Sequence, residues 1–319
     1  MGSGMRLWPN TAALTVSILM LALRIPAACA QSQLDEEGWA SFSLVNGHIH
    51  LPITLNQVEG EAIVDTGSEI NGIDDNFVAA HRSELHFGKY VTVNGVFTEA
   101  GAQIVNGASV GLFGTTTTVS GLMTVHINPA LLLLGESFLR NFIVQIDYPN
   151  HRLRLLDRKA VNLDKVANVD LRTQKGTMLP MVNVFLSPND KLWLTLDTGY
   201  TGGVFLPRSA LAEYKWLVQS ERASAQLADV HGVGTVEQLR IPYLKFGPFR
   251  MENVLLTMPA RGQETEIGRR AEYGSMRWTA GKESKGLLGY DVLQHFVLTI
   301  DLAHRLMHVG VPAPRKATD

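Results

Sequence analysis

Ala62-Ile63-Val64-Asp65-Thr66-Gly67 and Leu194-Thr195-Leu196-Asp197-Thr198-Gly199 each carry a short, mostly apolar run into the tripeptide Asp-Thr-Gly. With Gly at about 7% of residues and Asp and Thr at about 5% each, the tripeptide is expected by chance roughly 0.06 times in a chain of this length. Two copies in matching settings point to duplication, and the surroundings repeat as well. Downstream of the first copy runs Leu134-Gly135-Glu136-Ser137-Phe138-Leu139-Arg140-Asn141-Phe142-Ile143-Val144-Gln145-Ile146-Asp147. Downstream of the second runs Leu288-Gly289-Tyr290-Asp291-Val292-Leu293-Gln294-His295-Phe296-Val297-Leu298-Thr299-Ile300-Asp301, with Gly, Leu, Phe, Ile and Asp in the same register. His151-Arg152-Leu153 is echoed by His304-Arg305-Leu306, and Leu51-Pro52 by Leu179-Pro180.

A repeat of about 130 residues is too long for a solenoid unit and has the size of a small domain. The expected organisation is one lobe over 40–160 and a second over 170–312, joined by the polar, aperiodic stretch Asp157–Lys165. The local patterns are strand-like. Val91 to Thr98 sets β-branched and aromatic residues on both sides of Asn94-Gly95, a strong hairpin signal. Ile63-Val64, Thr115–Val119, Phe142–Ile146, Tyr243–Phe246 and Phe296–Ile300 read as further short strands between Gly and Pro. Helices are few: one over about 76–85 behind the cap candidates Asp74 and Asp75, and one starting at Pro207 and covering Ser209–Val218. The fold class is mainly β.

Twenty-eight basic against thirty acidic residues leave the chain nearly neutral, so no nucleic-acid partner is expected. At the N-terminus, Arg6, an apolar stretch from Ala12 to Leu23 and then Pro26-Ala27-Ala28-Cys29-Ala30-Gln31 form a signal-peptide layout, residues 1–30, cleaved after Ala30. The expected location is periplasmic or secreted. The alternative is membrane anchoring by residues 12–23, although that run is short for a span and Arg24 interrupts it. Cys29 is the single cysteine, inside the presumed signal, so the mature chain is expected to hold no disulfide, catalytic thiolate or cysteine metal site.

Apolar-apolar-Asp-Thr-Gly followed by Leu133-Leu134-Gly135, and again by Leu287-Leu288-Gly289, resembles the pepsin and retropepsin superfamily of aspartic proteases across both halves. The resemblance implies two homologous β-barrel lobes with an active-site cleft between them. It implies Asp65 and Asp197 as the catalytic pair, Thr66 and Thr198 hydrogen-bonding across the lobe interface, and Gly67 and Gly199 allowing close backbone approach. Ser68 matches the residue that supports the first carboxylate, whereas Tyr200 stands in the equivalent place of the second copy. The hairpin at Asn94, Gly95, Val96 and Phe97 is the flap candidate, with His231-Gly232-Val233-Gly234 as a weaker counterpart. The implied partner is a peptide or protein substrate, bound by an active monomer without cofactor or metal.

Two carboxylates about 3 Å apart, as in aspartic proteases, cannot both ionise and share a proton. One is then the base that activates water, the other the acid that protonates the carbonyl and the leaving amine. A different class of function is a peptide-binding module that keeps the duplicated fold without useful turnover, a reading that Tyr200 keeps open. Other features read more plainly. Asp147 and Asp301 are duplicated too but lack Thr-Gly and sit where a strand enters a turn, as turn caps do. A glycosidase pair is disfavoured by the scarcity of Trp. Gly107-Ala108-Ser109-Val110-Gly111 matches a nucleophile elbow in letters only, because strand rather than helix follows. His48 and His50 share a strand face but lack a third metal ligand nearby. Arg261–Lys285 has no counterpart in the first half and reads as a solvated loop, with a substrate-selecting loop as the alternative.

Overall fold

The computed structural model describes residues 34–94, 99–211, 213–214, 222–229, 232–263 and 283–312. The signal peptide, the flap tip Gly95-Val96-Phe97, His231 and most of the 261–285 insertion lie outside the described residues. The protein is mainly β, its strands arranged in two sheets of ten and fifteen strands. The ten-stranded sheet draws only on the first half, from Ser43–Val45 to Leu132–Leu134. The fifteen-stranded sheet unites the second half with Ala40–Ser41, Ile143–Asp147 and Arg152–Leu156 of the first. Among the described residues, no helix is long and apolar enough to cross a membrane.

The duplicated sequence becomes a local two-fold in the strand pairing. Ile143–Asp147 and Val297–Asp301, the trailing strands of the two copies, pair antiparallel with each other, Gln145 opposite Thr299 at the centre. Those two residues are equivalent in the repeat, so the symmetry axis passes between them, where Gln145 Nε2 donates to Thr299 Oγ1 at 2.9 Å. Runs of apolar residues here fit a layer covered on both faces: Ile143, Val144, Ile146, Leu298 and Ile300 are all buried. Each such side chain contributes roughly 1.5–3 kcal/mol by leaving water.

Both halves then repeat one local pattern. In the first, Leu132–Leu134 lies parallel to the end of Val58–Val64 and antiparallel to Gly72–Asp74. In the second, Leu287–Leu288 lies parallel to the end of Lys191–Leu196 and antiparallel to Val204–Phe205. The expected hairpin is present: His86–Asn94 and Glu99–Asn106 pair antiparallel with Asn94 opposite Glu99. The weaker counterpart is also a ladder, Ala223–Asp229 against Gly232–Ile241.

The first helix starts as expected, Asp74 Oδ1 accepting the Phe77 N–H at 3.0 Å, but it runs only over Asp75–Ala80. It ends at His81 and passes into a 3-10 turn at Arg82–Glu84, a change that the polar residues at 81–84 gave no apolar period to resist. The second expected helix is a single turn, Arg208–Leu211; Glu213 and Tyr214 are not helical, and 212 and 215–218 lie outside the described residues. The linking stretch is a tight turn closed by Ala160 N–H to Asp157 O at 2.9 Å, then a 3-10 turn at Leu163–Lys165 anchored by buried Leu163.

Candidate active site

Each Asp-Thr-Gly begins where a strand meets its Leu-Leu-Gly neighbour. Asp65 N–H donates to Leu134 O and Asp197 N–H donates to Leu288 O, both at 3.0 Å. The glycine after Leu-Leu then lets the next turn press on the loop. Glu136 N–H reaches Ser68 O at 2.7 Å and Tyr290 N–H reaches Tyr200 O at 2.8 Å. A Cβ on Gly135 would overlap Ile70 O, and one on Gly289 would overlap Tyr200 O. The Leu-Leu-Gly repeat is thus the mould against which each loop is shaped.

The loops meet through their threonines. Thr66 Oγ1 donates to Leu196 O at 2.7 Å and accepts the Thr198 N–H at 3.1 Å. Thr198 Oγ1 donates to Val64 O at 2.8 Å and accepts the Thr66 N–H at 3.0 Å. Each hydroxyl uses one donor and one acceptor, and both threonines are fully buried. Serine would offer the same hydroxyl, but threonine's β-branch stiffens χ1 and suits a buried junction.

This junction brings Asp65 and Asp197 together. A Cβ on Gly67 would overlap the Asp197 carboxyl, and one on Gly199 would overlap the Asp65 carboxyl, so each glycine makes room for the opposite acid. Gly67 N–H donates to Asp65 Oδ1 at 2.7 Å and Gly199 N–H donates to Asp197 Oδ1 at 2.9 Å. The two carboxyls are close enough to act on each other. Burial pushes both above the ordinary aspartic range. At Asp197 the charge of Asp65 and its side-chain contact add to the desolvation. At Asp65 the Gly67 N–H, Asp197 and His48 act against it. Asp65 remains half-buried and Asp197 is 9% exposed, so solvent touches the pair.

Other expected site residues lie elsewhere or act differently. Ser68 has a single hydroxyl proton, and it goes to Ile70 O at 3.1 Å while the oxygen accepts the Ile70 N–H at 3.3 Å. The expected support of the Asp65 carboxylate by Ser68 is therefore corrected: the serine shapes its own turn. Tyr200 turns its ring into a cluster with Phe205, Val236 and Leu287, edge-on to Phe205 at 6.1 Å. Its backbone N–H, not its side chain, faces Asp197 and favours the ionised carboxylate. Asn94 closes the described part of the flap hairpin.

Asp147 accepts from Arg152 Nε at 2.9 Å and from the Asn150 N–H at 3.3 Å, and Asp301 accepts the His304 N–H at 3.1 Å, so both cap turns. Ser109 sits inside the strand Ala108–Leu112, paired with Thr118. His50 is engaged with Glu61 at 2.7 Å, while His48 Nε2 reaches Gly199 O at 2.9 Å. Sequence reasoning missed that last contact, which joins residues 151 positions apart and has no local signal. Asp74, Asp75 and His126 bring ligand-type atoms within 4.8 Å of one another, but the Asp74 carboxylate is committed to the Phe77 and Ile127 N–H groups. A cavity of about 720 Å³ against Trp39, Arg152, Arg154 and His308 contains neither central aspartate; within the sheet Arg152 is paired with Asp147 and Arg154 is hydrogen-bonded to Gln145. Comparison with models of known protein families and with curated proteins finds no match for this chain.

Proposed function

We propose that this chain is an aspartic endopeptidase that hydrolyses peptide bonds by general acid–base activation of water between Asp65 and Asp197. The observation that carries the reading is the reciprocal junction: two Asp-Thr-Gly loops, hydrogen-bonded to each other through Thr66 and Thr198, with two carboxyls in contact on one edge that solvent reaches. Such a pair holds one proton over a wide pH range, and its titration belongs to the pair. One member of the pair is ionised and the other protonated, and we take Asp65 as the ionised one. Asp65 is then the base that takes a proton from a bound water as the water attacks the peptide carbonyl. Asp197 donates to the carbonyl oxygen; as the tetrahedral intermediate collapses and its C–N bond breaks, Asp65 passes its proton to the leaving amine and Asp197 takes a proton back from the intermediate's hydroxyl. No covalent enzyme intermediate is involved.

Under the same proposal the architecture is that of a pepsin/retropepsin-like enzyme, with lobes at 40–160 and 170–312 and an extended substrate between them. The substrate backbone pairs with strand edges and with the hairpin that begins at His86–Asn94. The Ala223–Asp229 and Gly232–Ile241 hairpin is its counterpart in the second half. Both aspartates belong to one chain, so the site is complete in a monomer. Export to the periplasm or medium rests on residues 1–30 alone.

The test is cleavage of a mixed protein digest between pH 3 and 8, with Asp65→Asn and Asp197→Asn alongside. Loss of cleavage in either folded variant supports the shared pair. Absence of cleavage by the unmutated chain at every pH would move the reading to a peptide-binding protein on the same scaffold.

A further inference from the structure

The two-fold that relates the loops is broken at one point close to the carboxyls. His48, half-buried at the start of the strand His48–Leu55, reaches across from the first half and sets Nε2 2.9 Å from Gly199 O in the second loop. A carbonyl oxygen only accepts, so Nε2 is the nitrogen that carries the proton toward Gly199 O. The peptide it grips is central: Gly199 packs on the Asp65 carboxyl, and the Tyr200 N–H of the same peptide faces Asp197. Among the described residues, no histidine clamps the first loop in this way. A cross-contact there is the Met178 N–H donating to Glu69 Oε1 at 2.6 Å, from a backbone group that does not titrate.

We propose that His48 is a positioning residue of the pair: its Nε2–H fixes the second Asp-Thr-Gly loop, whose Gly199 packs on the Asp65 carboxyl. Gly199 thus lies between the imidazole and Asp65. His48 is among the influences that act to lower Asp65. Among the described residues, Asp65 is the carboxyl whose interaction with His48 is resolved. Tyr290 comes from the turn after Leu287-Leu288-Gly289, packed on the neighbouring Gly47, with Tyr148 buried behind it at 6.0 Å between rings. On its own strand His50 is tied to Glu61, which also takes a hydrogen bond from Ser43 of the adjacent strand.

The inference rests on the reading of Asp65 and Asp197 as a working pair, and its test separates the two. In the full-length chain with ¹³Cγ-labelled aspartate, the Asp65 carboxyl resonance, assigned by its loss in Asp65→Asn, is followed by NMR from pH 2.5 to 8. His48→Gln keeps an N–H donor for Gly199 O without the charge, and His48→Phe removes both. The expected result is a midpoint for Asp65 at higher pH in both variants. Kinetically, His48→Phe loses about tenfold in kcat with little change in KM, as a slight misplacement of catalytic groups does. His48→Gln recovers most of that loss near neutrality, and the acidic limb of its activity profile moves upward. The direction follows from charge: both variants remove a group that acts to lower Asp65. An unmoved Asp65 midpoint in both variants overturns the inference. A moved midpoint in a protein that cleaves nothing supports the positioning role and refutes the proteolytic reading.

Discussion

Replacing Thr66 by Val tests the junction between the loops with little change of shape. The substitution removes one hydroxyl and with it two hydrogen bonds, leaving Leu196 O without its donor and the Thr198 N–H without its acceptor. Both groups lie at a junction where Thr66, Thr198 and Leu196 are all 0% exposed, so water does not replace the lost partners. An orphaned buried polar group costs about 1–3 kcal/mol, which places the loss at about 2–6 kcal/mol. Against a total stability of roughly 5–15 kcal/mol this is a severe change. The assay is urea unfolding followed by tryptophan fluorescence, with the slope checked so that a shifted midpoint reports stability alone. Thr198→Val orphans Val64 O and the Thr66 N–H in the mirrored arrangement, so its cost should agree with that of Thr66→Val within about 1 kcal/mol. A cost below about 1 kcal/mol for Thr66→Val would refute the claim that this hydroxyl satisfies both groups.

The remaining predictions concern the acids and their mould. Gly67→Ala and Gly199→Ala each push a methyl into the opposite carboxyl. Circular dichroism should show a folded protein while cleavage falls by about a hundredfold or more, as a misplacement near 1 Å at reacting groups does; cleavage within threefold of the unmutated protein would refute the close approach. Because burial raises both Asp65 and Asp197, the native state holds a proton more tightly than the unfolded chain, and stability declines as pH rises above the ordinary aspartic range. Asp197→Asn removes that penalty, so its Tm should exceed that of the parent at pH 7 and the advantage should shrink toward pH 4; a pH-independent difference would contradict the assigned cause. Asp147→Ala loses a turn cap and the Arg152 contact, at an expected cost of about 1–3 kcal/mol in the same urea assay with cleavage retained.

What sequence made legible was whatever repeats or acts locally. Asp-Thr-Gly and Leu-Leu-Gly named the residues that meet at the junction, and the Asp74 cap marked a helix start, because each depends on neighbours a few positions away. The helix end was missed since its stop comes from polar residues without a Gly or Pro signal. Ser68 was assigned to the carboxylate by analogy, and only the geometry of its own turn shows the proton going to Ile70. Both trailing strands were recognised as copies, but a strand's composition does not name its partner, and their pairing with each other became visible only in the sheet. The His48 clamp belongs to the same class of contact, where tertiary approach and not pattern decides.

The pairing of Gln145 with Thr299 has a consequence for how such a site can change over time. When two identical subunits meet on an axis, every substitution appears twice and a charge placed beside one acid is placed beside the other. Here the axis passes between residues of one covalent chain that are already different, glutamine facing threonine. Each half is free to vary alone, and the junction assembles at any protein concentration.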